Sequence, residues 1–139
     1  MDYIKRFFNN TNVRLKTRVG ALVYKLYSFL CKLNPDSIDY CEVLIEKAEP
    51  YEMVQTADKL FTEVSKSLQN KLNDQTIDLD TLISLFKEAD KLRESLQDRI
   101  DYQWYKGNNK VKIVVPTSNA EYLSTRNKLF VRIVNTGVN

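Results

Sequence analysis

The side chains that most often carry out catalysis or hold metals are scarce in this sequence of 139 residues. It contains no His, which removes the histidine general base and any triad or metal site built on imidazole. Cys31 and Cys41 are not spaced as C-x-x-C and lack the usual ligand set of structural zinc. Three scattered glycines cannot form a phosphate-binding loop or a dinucleotide-binding turn. Most familiar enzyme classes are therefore disfavoured.

Carboxylates are the remaining candidates for chemistry. Asp39, Glu42, Glu46 and Glu49 recur at helical spacing. Such a row could bind Mg²⁺ or act in a carboxylate-only hydrolase, because Asp and Glu suffice there. A solvated helix face has the same pattern, and no convincing set of ligands stands out. We therefore predict that the protein is not an enzyme, and we expect no cofactor, metal or small-molecule substrate.

Basic side chains form a second possible site, on the first long helical segment. Arg14, Arg18, Lys25 and Lys32 share one face at heptad spacing, and Lys16 lies beside them in the sequence. Aligned Lys and Arg side chains can follow the phosphates of a nucleic acid or bind an acidic partner. A solvated helix face shows the same line of charges. This face is the candidate nucleic-acid-binding site of the alternative function.

The charge distribution leaves both interpretations open. The net charge is only +3, but residues 1–35 carry +6, residues 36–102 carry −8 and residues 103–139 carry +5. The basic ends either pack beside the acidic middle and neutralise it, or one of them binds nucleic acid.

Apolar residues recur every three or four positions and predict a helical body. The predicted helices cover residues 12–33, 35–49, 51–72 and 78–107, with few Gly or Pro to interrupt them. The last helix is the longest. It is expected to form an antiparallel hairpin with the third, because only a short polar connection separates them. The inner stripe of the first helix is Leu15, Val19, Leu22, Leu26, Phe29 and Leu33. The inner stripe of the last helix is Leu82, Leu85, Ala89, Leu92 and Leu96.

After residue 107 the apolar pattern changes from helical spacing to alternation, which is typical of strands. One predicted strand covers residues 110–115 and ends at Pro116, and a short helical turn follows from Ser118 to Leu123. A second predicted strand covers residues 128–133. In the first strand, one face carries Val111, Ile113 and Val115 and the other carries Lys110 and Lys112. In the second strand, one face carries Leu129, Val131 and Ile133 and the other carries Lys128, Phe130 and Arg132.

These elements predict an α+β fold, mostly α, with a three- to four-helix bundle and a small C-terminal two-stranded antiparallel β element. The bundle is expected over residues 1–107 and the β-ribbon over residues 108–139, within a single compact unit. Two strands alone are marginal in water and have two open edges. The ribbon is therefore expected to pack on the bundle, on another copy or on a partner chain.

The candidate protein interface combines an aromatic cluster with the basic face of the ribbon. Tyr and Trp supply contact area at low entropic cost, and an uncovered ribbon offers edges for pairing. The predicted function is therefore non-catalytic protein–protein interaction, as a phage or viral assembly component, adaptor or inhibitor of a host protein. The candidate residues are Tyr102, Trp104 and Tyr105 from the end of the long helix, and Lys112, Phe130 and Arg132 from the ribbon.

The expected setting follows from composition. Abundant Lys, Asn, Asp, Ile and Tyr without His are typical of an AT-rich coding genome, which suggests a phage, virus or low-GC bacterium. Lys25 and Lys32 interrupt the most apolar run, so no membrane span is predicted. We expect a homo-oligomer or a complex with another protein, in the host cytoplasm or in a virion.

Overall fold

A computed structural model describes the backbone of residues 2–74, 77–97, 101–106, 109–114 and 120–137. Side chains are described for residues 3–74, 77–95 and 122–135. In these ranges the chain forms six α-helices, two short 3₁₀ turns at Pro35–Ser37 and Pro50–Glu52, and one antiparallel strand pair between the fifth and sixth helices. The helices are α1 (Asp2–Asn9), α2 (Arg18–Leu33), α3 (Ile38–Lys47), α4 (Met53–Asn73), α5 (Leu79–Gln97) and α6 (Ala120–Gly137), and the strands are β1 (Asp101–Lys106) and β2 (Asn109–Val114).

Helices α2 and α4 form the centre of a helical bundle, and α5 and α6 both pack on α4. Their inner stripes are almost inaccessible to water, and each large side chain buried in this way stabilises the fold by about 1.5–3 kcal/mol. The buried apolar residues of the two central helices are Val19, Leu22, Val23, Leu26, Tyr27, Phe29, Leu30, Leu33, Met53, Val54, Ala57, Leu60, Phe61, Val64, Leu68 and Leu72.

Helix α2 begins at Arg18 rather than at residue 12. Thr17 is its N-cap, and the Thr17 hydroxyl accepts a hydrogen bond from the Gly20 N–H at 3.0 Å. A side-chain acceptor at this position satisfies one of the backbone donors that have no partner in the first helical turn. Leu15 therefore lies in the preceding turn and is 42% exposed. Its predicted place in the inner stripe of this helix is wrong.

The long helix predicted to run from Asp78 to Gly107 ends at Gln97. Asp78 caps its start, because an Asp78 carboxylate oxygen accepts a hydrogen bond from the Thr81 N–H at 3.2 Å. Residues 101–106 form β1, in keeping with the high strand preference of Tyr and Trp. β1 pairs in antiparallel register with β2, so that Tyr102 lies opposite Ile113 and Trp104 opposite Val111.

The predicted fold class is wrong, because the C-terminal β-ribbon of residues 110–115 and 128–133 does not form. Residues 120–137 are helical instead, and residues 109–114 pair with the segment that precedes them. A run as short as 128–133 fits alternation and helical spacing almost equally well. No Gly or Pro lies between Pro116 and Gly137, so nothing stops the helix that was expected to end at Leu123.

The two cysteines are free thiols. Cys41 is fully buried in α3, and burial raises the pKa of its thiol to about 11. It behaves as a small apolar core residue.

Candidate protein-interaction surface

Helix α6 is anchored to α4 and α5 by the side chain of Tyr122. The Tyr122 ring lies 4.9 Å from the Phe61 ring and 6.2 Å from the Phe86 ring, measured between centroids. The Tyr122 hydroxyl donates a hydrogen bond to a carboxylate oxygen of Asp90. Burial and this carboxylate both raise the pKa of Tyr122, so the phenol remains a donor throughout the neutral range.

Two arginines add polar attachments along α6. The Arg126 guanidinium lies 3.1 Å from the second carboxylate oxygen of Asp90. One turn and a half further on, Arg132 donates a hydrogen bond to the Leu72 carbonyl of α4 at 3.1 Å. Leu72 belongs to the last turn of α4, where carbonyls have no partner within the helix. The orientation of α6 about its own axis is therefore fixed.

An ion pair between a buried arginine and a half-buried aspartate lies beside this anchor. Arg93 is only 7% exposed, and its guanidinium carbon is 5.3 Å from the centroid of the Phe61 ring. The Asp58 carboxylate lies 3.7 Å from this guanidinium. Burial raises the pKa of Asp58, and the positive charge of Arg93 opposes that rise. The two charges hold α4 and α5 together on the side where α6 docks.

The opposite side of α6 is apolar and faces water. Phe130 is 67% exposed, the largest value among the exposed large apolar side chains of the described residues. We define the α6 face as Leu123, Phe130, Val131 and Val134, all exposed and spaced 7, 1 and 3 residues apart. This spacing places them on one side of the helix. An open groove of about 590 Å³ runs along it, lined by Leu123, Ser124, Asn127, Lys128 and Val131.

The charged residues of α6 are Glu121, Arg126, Lys128 and Arg132. Arg126 pairs with Asp90, and Arg132 reaches the Leu72 carbonyl on another side of the helix. Lys128 is the charged side chain that borders the groove.

A second exposed apolar surface lies on α3 and α1. We define the α3 face as Tyr40 and Val43 of α3 together with Tyr3 of α1, all of which are exposed. Tyr3 is fixed there, because its hydroxyl donates a 2.6 Å hydrogen bond to the Glu42 carboxylate. The same oxygen of Glu42 accepts a 2.6 Å bond from the buried Tyr27. The hydrogen bond to Glu42 is the main cause of the raised pKa of Tyr3, whereas for Tyr27 burial raises the pKa most.

The carboxylate row of α3 borders this second surface. Asp39, Glu46 and Glu49 are exposed, whereas Glu42 is engaged by the two phenols. Within the described ranges, no cluster of three or more Asp, Glu or Cys side chains is arranged to hold a metal ion. The row gives α3 a negative outer face.

The six predicted interface residues lie on three elements, β1, β2 and α6, rather than on the end of one helix and a C-terminal ribbon. Tyr102, Trp104 and Tyr105 belong to β1 and Lys112 to β2, and their side chains lie outside the described residues. The backbone of this strand pair contacts the 3₁₀ turn Pro50–Glu52. Their role in an interface stays a prediction.

The remaining two predicted interface residues lie on α6, on different sides of it. Residues two positions apart on a helix are about 200° apart around its axis, from 3.6 residues per turn. Phe130 accordingly faces water, while Arg132 reaches the Leu72 carbonyl. Sequence reasoning selected Phe130 but missed Leu123, Val131 and Val134, whose helical spacing was the available signal.

The predicted nucleic-acid-binding residues are all exposed. Arg18, Lys25 and Lys32 form a line along α2, whereas Arg14 and Lys16 lie in the turn before it. A groove of about 460 Å³ adjoins the line, lined by Lys5, Asn9, Leu15, Ala21, Tyr24 and Lys25. Two of the five cations therefore lie at the N-terminal end of α2 and three lie along one side of it. Among these described residues, no exposed aromatic ring is placed where a base could stack on it.

Comparisons of the chain with protein-family models, curated proteins and solved structures find no match. In the part of the chain that the structure describes, no helix combines the length and apolarity needed to cross a membrane.

Proposed function

We propose that this protein is a non-catalytic protein that binds another protein chain through the α6 face. The observation that carries this proposal is the exposure of Phe130 and its three apolar neighbours on a helix that is firmly attached on its other side. Contiguous apolar surface is costly to leave in water and commonly marks a protein-binding site. The anchored helix presents this surface without further ordering, which reduces the entropic cost of binding.

The finer assignment is that of an assembly component, adaptor or inhibitor of a host protein, encoded by a phage or virus. The composition of the chain, rich in Lys, Asn, Asp, Ile and Tyr and without His, supports this setting. A helix that lays an apolar face into a groove is a common form of protein recognition.

Photo-crosslinking at position 130 tests the proposed function. With p-benzoyl-phenylalanine in place of Phe130, illumination in an extract of the cells that make the protein should give a discrete crosslinked species. Adding Val131→Asp to the same chain should reduce its yield about tenfold or more, because a charge at the centre of an apolar contact is desolvated without a partner. Mass spectrometry identifies the crosslinked chain, including a second copy of this protein.

The matched control places the same crosslinker at Lys87, an exposed position on α5. A crosslinked species obtained equally at both positions, or at neither, would contradict binding through the α6 face. Circular dichroism of each variant checks that the helices are retained.

A second candidate function is low-specificity nucleic-acid binding by α2. The exposure of the basic line favours it, since Arg14, Lys16, Arg18, Lys25 and Lys32 are all accessible to phosphates. Binding of this kind depends on the release of counterions and weakens steeply as salt rises.

Charge reversal tests this second candidate. The Arg18→Glu and Lys25→Glu double variant should lower the affinity for a DNA duplex and reduce the slope of log affinity against log salt by about two. The control variant Lys87→Glu with Lys91→Glu changes the net charge equally on α5 and should bind as the wild type does. An affinity that stays flat between low and high salt would exclude phosphate-led binding. Self-association should be unaffected by the reversal on α2.

A further inference from the structure

We infer that the groove between α1 and α2 is a binding site for a small amphipathic carboxylate, a molecule with an apolar body and one anionic group. The groove is the one of about 460 Å³ that is lined by Lys5, Asn9, Leu15, Ala21, Tyr24 and Lys25. Its volume falls within the range of about 300–1,000 Å³ that is usual for small-molecule sites. The site lies on other helices than the α6 face, so this inference does not rest on the proposed function.

Three segments of the chain supply the walls of this groove. Tyr24 and Lys25 follow Ala21 on α2 by three and four residues, which places the three side chains next to one another on one face of the helix. The two lining residues of α1 are four positions apart and also share a face. The exposed side chain of Leu15 comes from the turn that connects α1 and α2.

The walls are held in place by contacts within the protein. The Phe8 ring of α1 lies 5.2 Å from the Tyr24 ring and 5.3 Å from the Tyr27 ring of α2, measured between centroids. The connecting turn is fixed by a 2.6 Å hydrogen bond that the Thr17 hydroxyl donates to the Arg14 carbonyl. Because the groove is ordered before a ligand arrives, little ordering of the protein opposes binding.

Part of the groove lining is apolar. Leu15 is 42% exposed, and Ala21 and Tyr24 are partly buried. One exposed apolar side chain is normal on a protein surface. Here, however, three apolar side chains border the same concave space, and the hydrocarbon stems of two lysines can add to it. A ligand body that covers these groups removes apolar surface from water, which favours binding.

The charged side chains that line the groove are both positive. Lys5 and Lys25 are exposed, and neither forms an ion pair within the described residues. Residues 3–35 contain no Asp or Glu, and the side chain of Asp2 lies outside the described residues. Two ammonium groups beside an apolar surface favour an anionic ligand over a cationic one of the same shape.

One carboxylate from a neighbouring helix also has to be counted. Glu88 of α5 borders an adjoining groove of about 230 Å³ together with Lys25 and Lys32. Over the two grooves, three lysines stand against this one glutamate and leave an excess of two positive charges. The carboxylate of Glu88 therefore does not neutralise the site.

The combination of apolar and basic lining selects the class of ligand. The phosphates of a nucleic acid would use the ammonium groups but would leave Leu15 and Ala21 without an apolar partner. A membrane surface is flat, whereas these side chains border a concave space. An amphipathic carboxylate satisfies both kinds of lining at once.

Titration of the full chain with dodecanoate, below its critical micelle concentration, tests the inference. In amide NMR spectra the largest shifts should fall in residues 5–9, 15 and 21–25, with a dissociation constant on the order of 0.1 mM. Dodecyltrimethylammonium has the same alkyl chain and the opposite charge. It should bind at least about tenfold more weakly.

Two variants separate the charged and apolar contributions. Lys25→Glu should weaken dodecanoate binding about tenfold or more, because it places a like charge beside the ligand carboxylate. Leu15→Asn leaves the charge unchanged and should weaken binding about fivefold through the lost apolar contact. The control Lys87→Glu changes the net charge equally on α5 and should bind as the wild type does. All three positions are exposed, so the fold should be retained, which circular dichroism checks.

Three results would overturn the inference. The first is equal affinity of Lys25→Glu and Lys87→Glu for dodecanoate. The second is a set of amide shifts that is largest on the α6 face. The third is co-sedimentation of the wild type with vesicles of phosphatidylcholine and phosphatidylserine, which would identify a membrane surface as the occupant; the chain should instead stay in the supernatant.

Discussion

Replacing Asp58 with Asn should lower the free energy of unfolding by about 2–3 kcal/mol, because it removes a carboxylate that lies 3.7 Å from the buried guanidinium of Arg93. Arg93 is 7% exposed, so water screens this interaction only weakly on the arginine side. The 3.7 Å separation is longer than a hydrogen bond, which indicates that the carboxylate acts mainly through its charge. Asn keeps the size of the side chain and removes only that charge.

Urea denaturation followed by circular dichroism measures this change. The control is Glu63→Gln, which breaks the i,i+3 pair with Lys66 within α4 and should cost less than about 1 kcal/mol, because the Lys66 side chain is 58% exposed. In the background of Arg93→Met, Asp58→Asn should cost less than in the wild type, because the guanidinium with which the carboxylate interacts is gone. Equal costs for Asp58→Asn and Glu63→Gln would contradict a buried charge pair.

Gly20→Ala should lower the free energy of unfolding by about 2 kcal/mol, although helix propensity alone predicts a gain of up to about 1 kcal/mol. A Cβ atom at this position would lie 2.0 Å from the Arg14 carbonyl oxygen and 2.8 Å from the Thr17 hydroxyl. The Arg14 carbonyl already accepts a 2.6 Å hydrogen bond from that hydroxyl, so the turn cannot move away without losing it.

Thermal and urea unfolding of Gly20→Ala give the magnitude, and amide chemical shifts should locate the largest changes in residues 13–17. Ala21→Gly is the matched control at the next position and should cost about 1 kcal/mol through propensity alone. A Gly20→Ala variant as stable as the wild type would show that the turn before α2 does not approach the helix closely.

The central helices could be predicted from the sequence because apolar residues recur at helical spacing over several turns. The inner stripe of α2 from Val19 to Leu33 extends over four turns, and an error at one position such as Leu15 does not change the period. The stripe could not show where the helix begins, since that depends on Thr17 and its hydrogen bond to Gly20.

The C-terminal part could not be predicted in the same way, because its pattern is short and its helix is apolar on two sides. In α6, Tyr122 and Leu129 are buried on one side of the helix, whereas Phe130 and Val131 are exposed on another side. Local periodicity cannot say which of two apolar sides packs inward, since that is decided by contacts with α4 and α5. The α6 face therefore became visible only when the tertiary arrangement was known.

The sequence does not indicate the α3 face, for a related reason. Its carboxylates have the spacing of possible metal ligands, whereas nothing in the sequence distinguishes Tyr40 and Val43 between them as contact residues. Both positions look like ordinary members of an amphipathic helix in the sequence. Cys41 and Ile45 form the side of α3 that packs into the core. Tyr40 therefore lies on a part of the helix surface that faces water, and it is 54% exposed.

The hydrogen bond from Arg132 to the Leu72 carbonyl also affects the cooperativity of the fold. A side chain 60 positions later in the chain completes the end of α4. Detachment of α6 would therefore expose its own inner side and also leave the last turn of α4 without a partner for that carbonyl. The end of α4 is thus coupled to the docking of α6, and a fluctuation that detaches α6 also weakens the last turn of α4.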